Sequence, residues 1–100
     1  MTKLLDLITP GDVLYEEFMK PLGISQNQLA RDLFVPPSRV HAIVHGKRSI
    51  TADMALRLGK YFSTSAQMWI NLQSHYDLEL VKRNSWLDIK KRILPLKRVG

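Results

Sequence analysis

The segment LARDLFVPPSRVHAIVHGK, residues 29–47, constrains the fold more than any other part of this 100-residue chain. It carries two short apolar patterns with helical spacing, the first made by Leu29, Ala30 and Leu33, the second by Val40, Ile43 and Val44. Two prolines separate them, and a glycine closes the second. Two short helices joined by so tight a corner are typical of a helix-turn-helix arrangement. An ordinary bundle with a short helical hairpin is the alternative.

Cap residues and apolar spacing predict further helices on both sides of this unit, and no useful β-type alternation appears, so the fold class is all-α. The residues that begin or end the five predicted helices are Pro10, Pro21 and Gly23 for the first, Ser25 for the second, Pro36 or Pro37 and Gly46 for the third, Thr51 for the fourth and Ser65 for the fifth. We expect one domain over residues 1–80, followed by a basic C-terminal extension over residues 81–100.

The charge distribution favours a polyanionic partner. The net charge is +6, with +3 in residues 21–50 and +6 in residues 81–100. One basic block therefore coincides with the paired short helices. A clustered basic surface is typical of nucleic-acid binding, although a solvated surface explains the charge equally well.

The composition excludes several other classes. The chain has no cysteine, so a disulfide framework or a thiolate metal site is excluded. Residues 1–10 lack the apolar stretch of a signal peptide, and no segment approaches the ~20 apolar residues of a membrane span. We therefore expect a cytoplasmic protein without a membrane partner.

If the arrangement is a helix-turn-helix, the third helix turns one face to the core and leaves the opposite face free to enter a major groove. Arg39 is then the strongest direct reader, through a bidentate contact to guanine, whereas Ala42 can contact only a thymine methyl group. The candidate groove and phosphate residues of this region are Ser38, Arg39, His41, Ala42, His45, Lys47 and Arg48.

The same residues offer little for other chemistry. His41 and His45 have the spacing of a metal pair, but no glutamate of an H-E-x-x-H site lies between them, so we expect no metal or other cofactor. Ser38 near His41 lacks an orienting acid, so we expect no enzyme. The helical spacing of Trp69 and Tyr76 favours core or dimer packing over a binding stripe.

Two longer stretches carry a resemblance to a known family. Residues 25–62, SQNQLARDLFVPPSRVHAIVHGKRSITADMALRLGKYF, resemble the lambda-repressor or Cro-like DNA-binding domain. SAQMWINLQSHYDL, residues 65–78, is similar to the W-x-x-L-Q-x-x-Y-D-L ending of HigA-type antitoxins, also called virulence-associated protein I. PGDVLYEEFMKPLGIS, residues 10–25, is similar to their first helix, so the resemblance covers roughly residues 8–80.

The resemblance implies a dimeric repressor that binds an inverted-repeat operator in double-stranded DNA near its own promoter. In many members the repressor also neutralises a small ribonuclease toxin encoded beside it. A stand-alone regulator without a toxin, or an interaction module that has lost DNA binding, remains an alternative. The positions that the resemblance assigns to DNA contact are Gln26 for a phosphate, Ser38, Arg39 and Ala42 for the groove, and Lys47 and Arg48 for the backbone.

Three residues depart from the family pattern. Many relatives have glycine in the turn, where φ is often positive, but this chain has Phe34. A bulky residue would be strained there, so either the turn takes another conformation or Phe34 offsets the strain by burying its ring. Pro36 and Pro37 stand where many relatives have a cap and a polar base reader. Neither proline can donate a side-chain hydrogen bond, so we expect fewer side-chain contacts to bases at the N-terminus of this helix.

The fifth helix carries more large apolar groups than one face needs, and we expect a symmetric dimer to cover the excess. The alternative is that the segment after Asn84 folds back over this surface within one chain. In that segment Ser85 and Pro95 predict the start and end of a short helix with some contribution to DNA binding. The apolar residues concerned are Met68, Trp69, Ile70, Leu72, Tyr76, Leu78, Leu80 and Val81, and in the last segment Trp86, Leu87 and Ile89.

Overall fold

The computed structural model describes residues 7–97, and every regular element in that range is helical, which confirms the all-α class. The prediction that no signal peptide is present concerns residues 1–10, most of which lie outside the described range. Arg98, one of the basic residues of the C-terminal extension, also lies outside it. Helix α1 is continuous through Pro10–Val13, a π-helical stretch Leu14–Met19 and Lys20–Leu22; the others are α2 (Gln26–Leu33), α3 (Pro37–Val44), α4 (Ala52–Phe62), α5 (Ala66–Asn84) and α6 (Trp86–Arg92).

Hydroxyl side chains cap most of these helices. The side chains of Ser25, Thr51 and Ser65 accept hydrogen bonds from the backbone N–H three residues further on, at 3.0, 3.3 and 3.0 Å. Each bond satisfies a donor that has no partner within its helix, so these three predicted caps are confirmed. Thr9 caps α1 in the same way. Ser85 stands at the N-cap of α6, but its side chain makes no capping hydrogen bond.

Helix α1 differs from its prediction at the C-terminal end. It runs through Pro21 to Leu22 and stops at Gly23, whose φ of 67° is left-handed. The stretch Leu14–Met19 before the proline is π-helical. Because Pro21 has no backbone N–H, it cannot continue regular α-helical bonding, and the π-helical stretch ends two residues before it. Gly23, and not Pro21, therefore ends this helix.

The core lies between α1 and the four helices that follow it. Trp69 is fully buried, and its indole N–H donates to Thr64 Oγ1 at 2.8 Å. The ring of Phe18 packs against the Trp69 and Phe62 rings, with centroids 4.9 and 5.0 Å apart. Core packing is thus confirmed for Trp69, while Tyr76 stays partly exposed. The predicted core positions of the paired short helices are also buried: Leu29, Ala30, Leu33, Val40 and Ile43.

Helix α1 crosses α3 at a position where no side chain fits. A Cβ placed on Gly11 would lie 1.9 Å from the carbonyl oxygen of Ile43 and 3.0 Å from that of Val44. The backbones of α1 and α3 therefore touch at Gly11. This contact supports α3 from the side opposite its exposed face.

The C-terminal part of the chain extends from the packed helices. Helix α5 continues without a break across residue 80, where the domain boundary was predicted. Helix α6 follows α5 after the single residue Ser85, and Trp86, Leu87 and Ile89 remain exposed, as do Leu78 and Val81 on α5. Between residues 85 and 97, the chain therefore does not fold back to cover the apolar surface of α5, and that alternative is wrong for the segment that the structure describes.

Candidate nucleic-acid interface

The turn between α2 and α3 takes the conformation that favours glycine. Phe34 has φ 60° and ψ 45°, and its side chain is 87% exposed. Both expectations for Phe34 are therefore wrong, because the turn keeps a positive φ and the ring is not buried. The bonding explains this: the Val35 N–H donates to the Ala30 carbonyl at 3.0 Å, which closes α2 through a left-handed residue. Val35, and not Phe34, enters the core.

Arg57 of α4 holds this turn from outside. Its Nη1 donates to the carbonyl oxygen of Leu33 at 2.7 Å and to that of Phe34 at 3.4 Å. Its Nε donates to Asp53 Oδ2 at 2.9 Å. The carbonyls at the end of α2 thus gain a charged partner. Sequence reasoning missed Arg57, although its spacing of four from Asp53 was a visible signal of an acid–base pair on one helix face.

A second bond braces the same two helices. The Tyr61 hydroxyl on α4 donates to Asp32 Oδ2 on α2 at 2.6 Å. This hydrogen bond to Asp32, together with burial, raises the pKa of Tyr61. Helix α2 is therefore tied to α4 through both Arg57 and Tyr61.

Helix α3 presents one face to solvent, as predicted. Val40 and Ile43 are buried, whereas Ser38, His41 and His45 are exposed and Ala42 is partly exposed. The N-cap Pro36 makes no side-chain capping bond. The structure thus brings four of the predicted groove residues onto one outward face.

Gln26 at the start of α2 joins this face. The Nδ1 of His41 donates to Gln26 Oε1 at 3.1 Å, and the Nδ1 of His45 donates to the His41 carbonyl oxygen at 2.9 Å. The two imidazole rings lie 4.0 Å apart between centroids. Three of the predicted site residues thus form one hydrogen-bonded group on the α2 side of the face. In residues 7–97, no group of three or more histidine, cysteine, aspartate or glutamate residues could hold a metal ion.

Arg39 lies on the opposite flank of α3, towards α4. Its Nη1 is 3.7 Å from Asp53 Oδ2, and its side chain is 34% exposed. Arg39 and Asp53 line an open cleft of about 410 Å³ together with Arg48. Sequence reasoning missed Asp53, because no local pattern relates it to Arg39.

Lys47 and Arg48 follow α3 in an exposed loop. Gly46 has a φ of 72°, and the N–H of Lys47 donates to the Ala42 carbonyl at 2.8 Å. This bond places the loop directly against the end of α3. The two basic residues therefore flank the exposed face on the side of its C-terminus.

Among the helices within residues 7–97, none has the length and apolar character needed to cross a membrane.

The class of the protein follows from this arrangement and from a family comparison. The model of the helix-turn-helix family matches residues 16–69, which include both paired helices, the turn at Phe34 and α4. The chain is a helix-turn-helix protein.

Individual relatives narrow the class. Virulence-associated protein I of Dichelobacter nodosus is 49% identical over 77 residues, 77% of this chain and 71% of that protein. The solved structure of Pseudomonas aeruginosa antitoxin HigA with the higBA promoter is 46% identical, with a TM-score of 0.85 over 89% of this chain and 97% of that chain. An addiction module antidote protein of a HigA family from Coxiella burnetii is 46% identical, with a TM-score of 0.82 over 87% and 95%. Within the helix-turn-helix class, the chain belongs to the family of HigA antitoxins and virulence-associated protein I, as the resemblance implied.

Proposed function

We propose that the protein is a sequence-specific DNA-binding transcriptional repressor and the antitoxin of a HigBA-type toxin–antitoxin module. The observation that carries the proposal is the outward face of α3, where Ser38, His41 and His45 are exposed and Ala42 is partly exposed. The similarity to the HigA structure with its promoter, at 46% identity, supports the same reading.

The geometry suits insertion of α3 into the major groove of double-stranded DNA. Gln26 stands at the start of α2 on one side of the exposed face, and Lys47 and Arg48 stand beyond the end of α3. In helix-turn-helix proteins these flanking positions contact phosphates, which fix the register, while the helix between them reads base edges. The bond between Gln26 and His41 would couple the proposed phosphate contact of Gln26 to the proposed groove contact of His41.

We also propose a homodimer formed through the C-terminal part of the chain. The large apolar side chains that are exposed there in the single chain are Leu78, Leu80, Val81, Trp86, Leu87 and Ile89. A second copy would cover this surface around a two-fold axis. Two linked copies would match two half-sites about one helical turn (~34 Å) apart, as an inverted repeat requires.

The C-terminal extension, residues 81–100, has seven basic residues and one acidic residue. We propose that it adds contacts to the DNA backbone, because its charge suits phosphates better than the basic surface that is common in ribonucleases. The remaining parts of the proposal are a small ribonuclease as the toxin partner, no enzymatic activity of this chain, and action in the cytoplasm, where bacterial DNA lies.

DNA binding is tested by fluorescence anisotropy with the DNA upstream of the gene and with random DNA. Arg39→Ala should cost about 1–3 kcal/mol at one base pair per half-site and relax specificity there. Lys47→Ala should weaken binding to all sequences alike and flatten the salt dependence. Binding without salt dependence, or equal losses on specific and random DNA for Arg39→Ala, would contradict the proposal.

The toxin partner is tested by co-expressing the protein with the product of the adjacent gene. We expect a stable complex and suppression of that product's ribonuclease activity. Operator binding without a neutralised neighbour would instead establish the alternative, a stand-alone helix-turn-helix regulator. Ribonuclease activity that persists in toxin-free protein, and disappears with a point mutation in this chain, would contradict the claim that it is not an enzyme.

A further inference from the structure

We propose that Asp53 is a positioning residue for base readout, whose carboxylate orients the Arg39 guanidinium towards a guanine of the operator half-site. The proposal rests on the DNA-binding function proposed above. It adds a specificity determinant on α4, outside the paired helices that carry the contacts to DNA.

The contacts place Asp53 between two arginines. Its Oδ2 lies 3.7 Å from Arg39 Nη1 and 2.9 Å from Arg57 Nε. Arg57 in turn donates to the carbonyl oxygen of Leu33 at the end of α2. The carboxylate is thus held by a guanidinium that is itself attached to the helix-turn-helix backbone. Asp53 also lies in the first turn of α4, where the positive end of the helix dipole favours a carboxylate.

Arg39 is the residue that most needs such support. Its long side chain has large rotamer entropy, and a bidentate contact to guanine requires one planar orientation. Asp53 faces a single terminal nitrogen, so most of the five N–H donors of the guanidinium remain available for DNA. The preceding Pro36 and Pro37 offer no polar reader, which leaves Arg39 as the strongest direct reader at this end of α3.

The local charge is compatible with DNA binding. Arg39, Asp53 and Arg57 together carry one net positive charge, and Arg48 lies in the same cleft as Arg39 and Asp53. The carboxylate of Asp53 can therefore orient Arg39 without giving the region a net negative charge that would repel phosphates. Its negative charge should still weaken binding to random DNA slightly, and this separates a positioning role from a simple DNA contact.

The test compares Asp53→Asn with the wild type on three DNAs: the operator, the operator altered at the base pair where Arg39→Ala relaxes specificity, and random DNA. We expect Asp53→Asn to reduce the ratio of the first two affinities by about tenfold, within the range of one base contact. Its affinity for random DNA should stay equal or rise. In an Arg39→Ala background, Asp53→Asn should leave the ratio unchanged. In the wild-type background, Asp53→Glu should give a ratio between those of Asp53→Asn and the wild type.

Two further variants serve as controls. Glu16→Gln removes one negative charge from an exposed pair with Lys20 on α1, and should leave the ratio unchanged. Arg57→Gln removes the guanidinium that holds Asp53 and the bonds to the turn, so it should lower the melting temperature and reduce the ratio in part. Circular dichroism checks that each variant is folded.

An unchanged ratio in folded Asp53→Asn, with the ratio still lost in Arg39→Ala, would overturn the positioning role and leave the proposed function intact. A further loss of the ratio when Asp53→Asn is added to Arg39→Ala would also overturn it, because the effect would then not act through Arg39. If the wild type does not distinguish the operator from random DNA, the proposed function itself fails.

Discussion

The backbone N–H of Ile50 donates to Gln73 Oε1 at 2.8 Å, and this bond joins the loop after α3 to the middle of α5. Gln73 is only 9% exposed, and its Nε2 donates to Asp77 Oδ1 at 3.0 Å. The glutamine and the aspartate of the W-x-x-L-Q-x-x-Y-D-L motif therefore anchor the loop that carries Lys47 and Arg48. The motif therefore helps to support the candidate interface, and its tryptophan, Trp69, is fully buried in the core.

Replacing Gln73 by Leu should destabilise the protein, because the buried N–H of Ile50 loses its acceptor. The cost of an unsatisfied buried donor is about 1–3 kcal/mol in the free energy of unfolding. Urea denaturation measures it. Asn71→Leu, at an exposed position of the same helix, is the matched control and should change stability by no more than about 0.5 kcal/mol. Equal stability of the two variants would refute the anchoring role.

Gly11→Ala should destabilise the protein because its methyl group would overlap the Ile43 carbonyl oxygen in α3. Overpacking of this kind costs about 1–3 kcal/mol and should also displace α3 relative to α1. Thermal melts measure the stability, with Glu17→Ala as an exposed control on the same helix. A melting temperature for Gly11→Ala at or above that of the control would show that the two backbones can separate without cost.

Phe34→Gly should stabilise the protein by about 1 kcal/mol, because glycine removes the steric cost of a left-handed backbone and only part of this gain is lost to its unfolded-state entropy. Phe34→Ala keeps the Cβ and removes only an exposed ring, so it should change stability little. Chemical denaturation of both variants distinguishes the backbone from the ring. The same stability in both would mean that the turn is not strained.

The bond between Tyr61 and Asp32 should make stability depend on alkaline pH. The pKa of Tyr61 is raised above its ordinary value of 10.0, chiefly by the hydrogen bond to Asp32. The folded state thus holds this proton more tightly than the unfolded state, so the contribution is fully present below the unfolded pKa and is lost as pH rises through the folded pKa. Between about pH 9 and pH 12, the wild type should lose more stability than Tyr61→Phe. If the stability of the wild type and of Tyr61→Phe fell in parallel over this pH range, the titration of Tyr61 would not be linked to folding.

Local features of this fold could be predicted from the sequence. Ser25, Thr51 and Ser65 were identified as caps because a capping hydroxyl acts on its own helix, within three residues. The buried face of α3 followed from the spacing of Val40 and Ile43, since helical periodicity is also local.

Features that depend on distant contacts could not be predicted. Gln73 accepts from a residue 23 positions away, and Arg57 donates to a residue 24 positions away. Phe34 was expected either to avoid a positive φ or to bury its ring. Its backbone is instead determined by the closing bonds of α2 and by Arg57, neither of which the residue type reveals.

The central claim is that the exposed face of α3 reads DNA sequence as part of a symmetric pair. The most direct measurement is selection of DNA from a random pool by the full chain, with Arg39→Ala selected in parallel. We predict enrichment of an inverted repeat whose half-site centres lie about one helical turn (~34 Å) apart, with relaxed selection at one base pair per half-site for Arg39→Ala. The account would be contradicted if the full chain enriched no inverted repeat. It would also be contradicted if the wild type and Arg39→Ala enriched the same inverted repeat with equal stringency at every base pair.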